Sequence, residues 1–203
     1  MISSRLDNTI IKINLPPDRK YGFMLSGGLD SAVLLYLILK NNLSVNLQLF
    51  SIKKHDGSYR CLDNIIQFLE NRTDTKLSNI IFIGDPNADH DQQSNTAIRE
   101  IEEKFLDIDY VVFGTNSNPP GDVHLPGLYP RRERRFNPKI LTPFRHLYKT
   151  HIVDFVFEHN LEPLLEMTHT CTEKVNDRCG KCFQCNERIW AFEELGYTDT
   201  GVK

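Results

Sequence analysis

The segment that most constrains the fold reads Ser-Gly-Gly-Leu-Asp-Ser and occupies residues 26–31. An apolar run at residues 21–25 precedes it, and the strongly apolar stretch 32–39 follows it. This order predicts a buried strand, a glycine turn and a helix that begins at the turn. Backbone N–H groups and the positive end of the helix dipole then converge at the turn, which favours binding of an anion.

The side chains of this turn suit a polyphosphate that carries a divalent cation. Gly27 and Gly28 let the backbone approach the anion closely, and the hydroxyls of Ser26 and Ser31 can donate to phosphate oxygens. Asp30 would repel a bare phosphate, so its natural partner is a Mg²⁺ that bridges phosphate oxygens. A Walker-type loop is excluded because no Gly-Lys-Ser/Thr follows at the required spacing. The simpler alternative is a capped helix start that the Asp30 carboxylate merely suits.

Strand and helix patterns alternate along the rest of the chain. Strands are predicted at residues 21–25, 45–51, 79–84 and 110–113, helices at 30–41, 59–72, 92–105 and 149–160, and a short lead strand within 9–14. The alternation is typical of an α/β fold with a mostly parallel, doubly wound sheet. With 203 residues, of which 40% are hydrophobic and 25% charged, the chain can bury a substantial core.

Ligands of open α/β sheets bind at the carboxyl ends of the strands. The turn at 26–31, the end of the second strand and residues 114–116 after the fourth are therefore expected to meet at one crevice. Thr115 or Asn116 is expected to face a ligand there. Residues 117–138 form a long stretch rich in Pro, Gly and Arg, and a loop of that length is usually functional or disordered.

Four cysteines near the end of the chain have metal-ligand spacing. They follow the pattern C-x7-C-x2-C-x2-C, at Cys171, Cys179, Cys182 and Cys185. Four thiolates so close together can close a tetrahedral shell around a structural Zn²⁺, and Gly180 suits the tight turn between two of them. An iron–sulfur cluster is the alternative. His169 is expected outside this shell, and Cys61 is expected to be an ordinary buried residue.

The hexapeptide resembles the PP-loop of the N-type ATP pyrophosphatases, which cleave ATP between the α- and β-phosphates. Residues 142–153 resemble a segment near the end of that domain, and Lys149 falls where an ammonium reaches the ATP phosphates. The resemblance implies Asp30, Ser31 and Lys149 as catalytic residues, and adenine readout at the end of the second strand. The implied ATP site comprises Leu25, Ser26, Gly27, Gly28, Leu29, Asp30, Ser31, Phe50, Ser51, Gly114, Thr115 and Lys149.

Residues 168–192 resemble the end of the 7-cyano-7-deazaguanine synthases, which carry a cysteine, then C-G-x-C-x-x-C-x-x-R and a nearby Phe. The resemblance implies an ATP-dependent carbon–nitrogen ligase that adenylates 7-carboxy-7-deazaguanine, adds ammonia and forms the nitrile. It implies ATP, Mg²⁺ and one structural Zn²⁺ as cofactors and a possible homodimer. Residues 1–165 would form the PP-loop domain and 166–203 the zinc segment. Arg188 would either lock this segment in place or help to bind substrate.

The middle of the chain departs from that family. Phe-Ser-Ile-Lys at 50–53 stands where the family has Tyr-Gly-Gln, and an arginine-rich run at 131–135 replaces an element that carries an acidic residue. Such a run suits an anionic or phosphate-bearing second substrate. Two alternatives follow: an enzyme that adenylates another acceptor, such as a nucleotide, an RNA or a protein end, and a non-catalytic nucleotide-binding module.

Charge and hydropathy bear on partners and location. The net charge of −3 argues against a protein dedicated to coating nucleic acid, although a local basic patch at 131–135 is compatible with RNA. The sequence has no apolar stretch near the roughly 20 residues that span a bilayer. Charged residues interrupt residues 1–20, so no signal peptide is predicted and a cytoplasmic location is expected.

Overall fold

A parallel five-stranded sheet forms the centre of the computed structural model, which describes residues 2–41, 45–88, 90–127 and 137–201. In chain order the strands are β1 (Ile2–Ser3), β2 (Ile10–Ile11), β3 (Lys20–Met24), β4 (Asn46–Ser51), β5 (Ile81–Phe82), β6 (Tyr110–Phe113) and β7 (Ile140–Leu141). The order across the sheet is β5-β4-β3-β6-β7, and every pairing in it is parallel. Strands β1 and β2 form a separate antiparallel pair.

Helices cover both faces of this sheet. In chain order they are α1 (Leu29–Asn41), α2 (Leu62–Thr73), α3 (His90–Lys104), α4 (Lys149–Glu158), α5 (Pro163–Met167) and α6 (Phe183–Leu195), with a 3₁₀ turn at Ser58–Cys61 before α2. The predicted α/β class with a mostly parallel, doubly wound sheet is confirmed. No helix among the described residues combines the length and apolarity needed to cross a membrane.

Alternate residues of the central strands supply two hydrophobic cores. Phe23 of β3 and Val112 of β6 face the larger core, which contains nearly all of α1 and parts of α2, α4, α5 and α6. Phe50 of β4 and Val111 of β6 face a smaller core with α3. Helix α1 is buried almost all round, which explains why its sequence is uniformly apolar rather than amphipathic.

Several element boundaries differ from the sequence prediction. The predicted strand 79–84 shortens to Ile81–Phe82, and the lead strand within 9–14 shortens to Ile10–Ile11, outside the main sheet. The edge strand β7 and the short helix α5 were not predicted, because two to five residues carry too little periodicity to be recognised. The arginine-rich run 131–135 lies outside the described residues.

The β1–β2 segment is fastened to α4. The Arg5 guanidinium donates to both carboxylate oxygens of Asp154 at 2.8–3.0 Å. One turn earlier on α4, His151 Nε2 lies 3.0 Å from the carboxylate of Asp7, and His151 Nδ1 accepts the backbone N–H of Tyr148 at the helix start. These contacts fix the first turn of the helix on which Lys149 lies.

Candidate functional site

A cleft of about 280 Å³ opens at the carboxyl ends of β3 and β6, beside the start of α1. Most of the residues implied as an ATP site line it, namely Leu25, Ser26, Gly28, Leu29, Asp30, Ser31, Gly114, Thr115 and Lys149. The structure thus brings together residues that lie more than 100 positions apart in the chain. Residues of the cysteine segment also line the cleft, among them His169, Gln184 and Glu187.

Phe50 and Ser51 do not lie in this cleft, contrary to the sequence-based expectation. Both side chains are buried, and the Phe50 ring packs edge-on against Phe105 in the smaller core. Their carbonyls are used inside the fold, since Phe50 O accepts the N–H of Leu25 and Ser51 O accepts the N–H of Ile83, each at 2.9 Å. The residue that follows them, Ile52, lines the cleft.

The 26–31 turn is held by its own hydroxyls. Ser26 Oγ and Ser31 Oγ lie 2.9 Å apart, Gly28 N donates to Ser26 Oγ at 3.3 Å, and Ser31 Oγ donates to Gly28 O at 3.0 Å. Gly27 has a φ of 81° and lies so close to the carbonyl of Ser58 that a Cβ would collide with it. The glycine is therefore required both by the backbone conformation and by the neighbouring segment.

Gly27→Ala is expected to destabilise the protein and to distort the turn, because Ala is strained at positive φ and its methyl group meets the Ser58 carbonyl. We expect a loss of about 1–3 kcal/mol in the free energy of unfolding, measured by urea titration. Gly28→Ala is the matched control, since an added Cβ there has its nearest neighbour at 3.4 Å. Equal losses for the two variants would contradict this explanation.

Lys149, the first residue of α4, is a buried cation between two carboxylates. Its side chain is 8% exposed, and Nζ lies 2.5 and 2.7 Å from the two oxygens of Asp30 and 3.4 Å from Glu187 Oε2. Burial acts to lower the pKa of Lys149, but the carboxylates of Asp30 and Glu187 outweigh it and the pKa is raised. The ammonium therefore stays charged beside the turn at residues 26–31, which is called the phosphate-suited turn below.

Glu187 is the site residue that the sequence analysis missed. Its carboxylate is 3% exposed, and besides Lys149 it accepts a hydrogen bond of 3.2 Å from Asn116 Nδ2. The residue lies on α6, two positions after Cys185, and was read only as part of the cysteine motif. A carboxylate on the first turns of a helix is normally solvated, so nothing local indicated its burial.

Arg188 anchors the C-terminal segment. Its side chain is 1% exposed, Nε and Nη2 donate to the carboxylate of Asp199 at 2.8 and 2.7 Å, and Nη2 also donates to Leu165 O at 3.0 Å. Nη1 donates to Thr170 Oγ1 at 3.0 Å. Of the two roles left open by the sequence, these contacts support locking of the segment, because they occupy all three nitrogens of the guanidinium.

The four cysteines converge as their spacing predicted. The Sγ atoms of Cys171, Cys179, Cys182 and Cys185 all lie within 4.8 Å of one another, so this cluster could hold a metal ion. Tetrahedral zinc with Zn–S bonds of about 2.3 Å needs four sulfur atoms that lie close to one another, as these four do.

The surroundings of the sulfurs also suit a cation. The N–H groups of Cys182 and Lys181 donate to Cys179 Sγ at 3.2 and 3.4 Å and lower the pKa of this thiol to about 6. Burial raises the pKa of Cys185 to about 12, so without a cation it would stay protonated. Gly180 between them adopts the left-handed region, with φ of 64°. The donor set therefore fits a metal that binds four thiolates.

The two remaining residues singled out by the sequence lie outside the cysteine cluster. Cys61 is half-buried at the end of the 3₁₀ turn and is not one of the four clustered thiols. His169 donates its backbone N–H to Gly27 O at 2.9 Å, and it lines the cleft. The segment before the cysteine cluster is therefore hydrogen-bonded directly to the 26–31 turn.

A parallel α/β fold with a cleft at its strand ends and a four-cysteine cluster that could hold a metal ion is thus the class that the fold and site define. Residues 131–196 match the family model described as "Queuosine biosynthesis protein QueC". The resemblance of the C-terminal segment noted in the sequence is confirmed over this range.

Curated relatives match a stretch of this chain of similar length to the family-model match. The chain is 35% identical over 66 residues to the 7-cyano-7-deazaguanine synthase of Campylobacter jejuni subsp. jejuni serotype O:6, covering 32% of this chain and 29% of that protein. It is 41% identical over 61 residues to the synthase of a Marinomonas species, covering 30% of this chain and 27% of that protein. The matches thus span less than a third of the length of these relatives.

Solved structures with a similar arrangement include Candida glabrata FMN adenylyltransferase in complex with FMN and the ATP analogue AMPCPP. That similarity has a TM-score of 0.42 and 20% sequence identity, and it covers 70% of this chain and 49% of that one. Yeast FAD synthetase in complex with FAD gives a TM-score of 0.38 at 20% identity over 70% of this chain and 50% of that one.

Proposed function

We propose that this chain is an ATP-dependent ligase that converts 7-carboxy-7-deazaguanine to 7-cyano-7-deazaguanine. The observation that carries the proposal is the shared cleft: the phosphate-suited turn, Lys149 and the segment matching the QueC family all line it. The names of the curated relatives support the same reaction.

In this proposal the turn holds the polyphosphate of ATP. The N–H groups of Gly27 and Gly28 and the hydroxyls of Ser26 and Ser31 bind the pyrophosphate portion at the start of α1. Asp30 would hold Mg²⁺, which neutralises phosphate charge and favours departure of pyrophosphate. Lys149 stabilises the charge that builds on the leaving group.

Glu187 has a positioning role in the same scheme. If Asp30 turns toward a cation, Lys149 loses its nearest carboxylate, and Glu187 at 3.4 Å remains as its partner. A buried lysine without any carboxylate would be strongly destabilised. Glu187 would therefore keep the ammonium charged and in place during turnover.

The reaction itself is a sequence of two activations. The substrate carboxylate attacks the α-phosphorus of ATP, which gives an acyl-adenylate and pyrophosphate, and ammonia then displaces AMP to form the amide. The amide oxygen then attacks the α-phosphorus of a second ATP and displaces pyrophosphate, and loss of AMP and of both amide N–H protons yields the nitrile. The protein contributes orientation of the reactants and charge stabilisation in a partly enclosed cleft.

We further propose that the four-cysteine cluster holds one structural Zn²⁺. Four thiolates leave no open coordination position, so this metal would take no part in the reaction. It would instead fix the start of α6, the helix that carries Glu187 and Arg188. An iron–sulfur cluster remains the alternative, and metal analysis with an absorption spectrum distinguishes the two, since a zinc protein is colourless.

A direct assay tests the proposed reaction. The protein is incubated with ATP and Mg²⁺, alone and with 7-carboxy-7-deazaguanine and ammonia, and AMP, pyrophosphate and the nitrile are quantified. Formation of the nitrile supports the proposal. AMP released only with another acceptor would support the second candidate function, adenylation of a different, anionic or macromolecular acceptor, which the arginine-rich run 131–135 favours. Absence of turnover with every acceptor would indicate a non-catalytic nucleotide-binding module.

Other features of the proposal stay predictions. They are the division into a PP-loop domain at 1–165 and a zinc segment at 166–203, the cytoplasmic location and the possible homodimer. The proposed partners are a small-molecule substrate and ammonia. The arginine-rich run 131–135 is the one sequence feature compatible with binding of nucleic acid.

A further inference from the structure

The segment between β4 and the 3₁₀ turn contacts both the cysteine segment and the 26–31 turn. Gly57 in this segment, with a φ of 75°, packs against the side chain of Val175 in the cysteine segment, and Ser58 packs against Gly27 of the phosphate-suited turn. Asp56 Oδ1 accepts the N–H of Ser58 at 2.9 Å, which fixes the turn. Lys54 lies in this segment and is one of the residues that line the cleft.

The other cations that line the cleft already have carboxylate partners. Lys149 pairs with Asp30 and Glu187, and Arg188 pairs with Asp199. Within the described part of the chain, no salt bridge joins Lys54 to a carboxylate. Lys54 therefore brings to this cleft a positive charge that the described residues do not neutralise by contact.

The surroundings of Lys54 disfavour an uncompensated charge. Burial lowers the pKa of its ammonium, and the carboxylate of Asp56 offsets this only in part. Its neighbour Lys53 differs sharply, since that side chain is exposed and its Nζ lies 4.8 Å from the centroid of the Phe82 ring. Lys54 itself is half-buried, and partial burial of a lysine without a salt bridge is unfavourable unless an anion arrives to pair with it.

We propose that Lys54 binds an anionic oxygen of a ligand in the cleft, either a phosphate oxygen of ATP or the carboxylate of the acceptor. The inference rests on the proposed function for the identity of these two anions. Both have the same chemistry, a resonance-stabilised oxyanion that accepts charge-assisted hydrogen bonds from an ammonium. Lys54 is thus proposed as a second cationic binding residue of the cleft, besides Lys149.

The test uses Lys54→Gln, with Lys53→Gln as the matched control that removes the adjacent exposed charge. Binding of ATP, inorganic pyrophosphate and 7-carboxy-7-deazaguanine is measured by calorimetry, without turnover, and KM values are measured by AMP release. We expect Lys54→Gln to weaken the binding of one of the two anions, phosphate or carboxylate, about tenfold or more, because a charge-assisted hydrogen bond is lost. We expect Lys53→Gln to change each value less than about twofold.

The pattern of losses identifies the anion. Weaker binding of ATP and pyrophosphate assigns Lys54 to the phosphates, whereas unchanged ATP binding with weaker binding of the carboxylate assigns it to the acceptor. Unchanged binding of all three probes, or equal losses in both variants, overturns the inference. If wild-type protein fails to bind or convert 7-carboxy-7-deazaguanine, the proposed function fails. In that case the binding of ATP and pyrophosphate still tests the role of Lys54. Unchanged affinities of Lys54→Gln for both probes then overturn the inference.

Discussion

Asp30→Asn is expected to lower kcat for AMP release by at least about a hundredfold, while the fold persists. The change keeps the size of the side chain but removes the carboxylate that we propose binds Mg²⁺ at the phosphates. Release of pyrophosphate and AMP measures the rate, and circular dichroism measures the fold. A nearly normal rate in this variant would show that Asp30 does not hold the proposed Mg²⁺.

Glu187→Gln is the matched control, because both carboxylates contact Lys149. If Asp30 served only as a counter-ion for the buried lysine, the two variants would lose activity to a similar extent. A role of Asp30 in holding the cation predicts a clearly smaller loss in kcat for Glu187→Gln. The comparison therefore separates chemistry at the phosphates from the electrostatic support of Lys149.

Cys182→Ser is expected to abolish stoichiometric metal binding and to lower stability substantially. Metal binding contributes directly to the folding free energy of such a segment, so we expect a loss of about 3 kcal/mol and a decrease in Tm of about 10 °C. Elemental analysis gives the metal content, and calorimetric melting gives Tm. The wild-type protein is expected to carry about one zinc per chain.

Cys61→Ser is the control for this experiment, since Cys61 lies outside the four-cysteine cluster. It is expected to retain the metal and to melt near the wild-type temperature. If Cys182→Ser keeps both its metal and its Tm, the four thiols are not a metal shell. If the purified wild type is brown and contains iron, the shell exists but the zinc assignment is wrong.

The parts of this protein that the sequence predicts well are those with local physical causes. The turn at 26–31 is specified by two glycines between an apolar strand and an apolar helix, and the structure has that order. The convergence of strand ends follows from parallel topology alone. The four cysteines are close in sequence, so their spacing already limits how far apart they can lie.

The parts that could not be predicted depend on contacts between distant segments. Burial of Glu187 requires α6 to pack beside α4, and the pairing of Asp30 with Lys149 joins residues 119 positions apart. The resemblance implied that the backbone at Phe50 reads adenine, yet Phe50 does not line the cleft and its ring faces the smaller core. Both faces of a central strand are covered by helices, so its sequence alone does not show which core each side chain enters.

Helix α6 has a consequence for any attempt to dissect this chain. It starts beside the cysteine cluster, sends Glu187 to the lysine of α4, and fastens the last described residues through Arg188 and Asp199. A recombinant fragment that stops before residue 166 would expose the apolar surface under α6 and open one wall of the cleft. We therefore expect a shortened protein to require residues 166–201 for folding, and a foreign C-terminal segment to require residues equivalent to Glu187, Arg188 and Asp199.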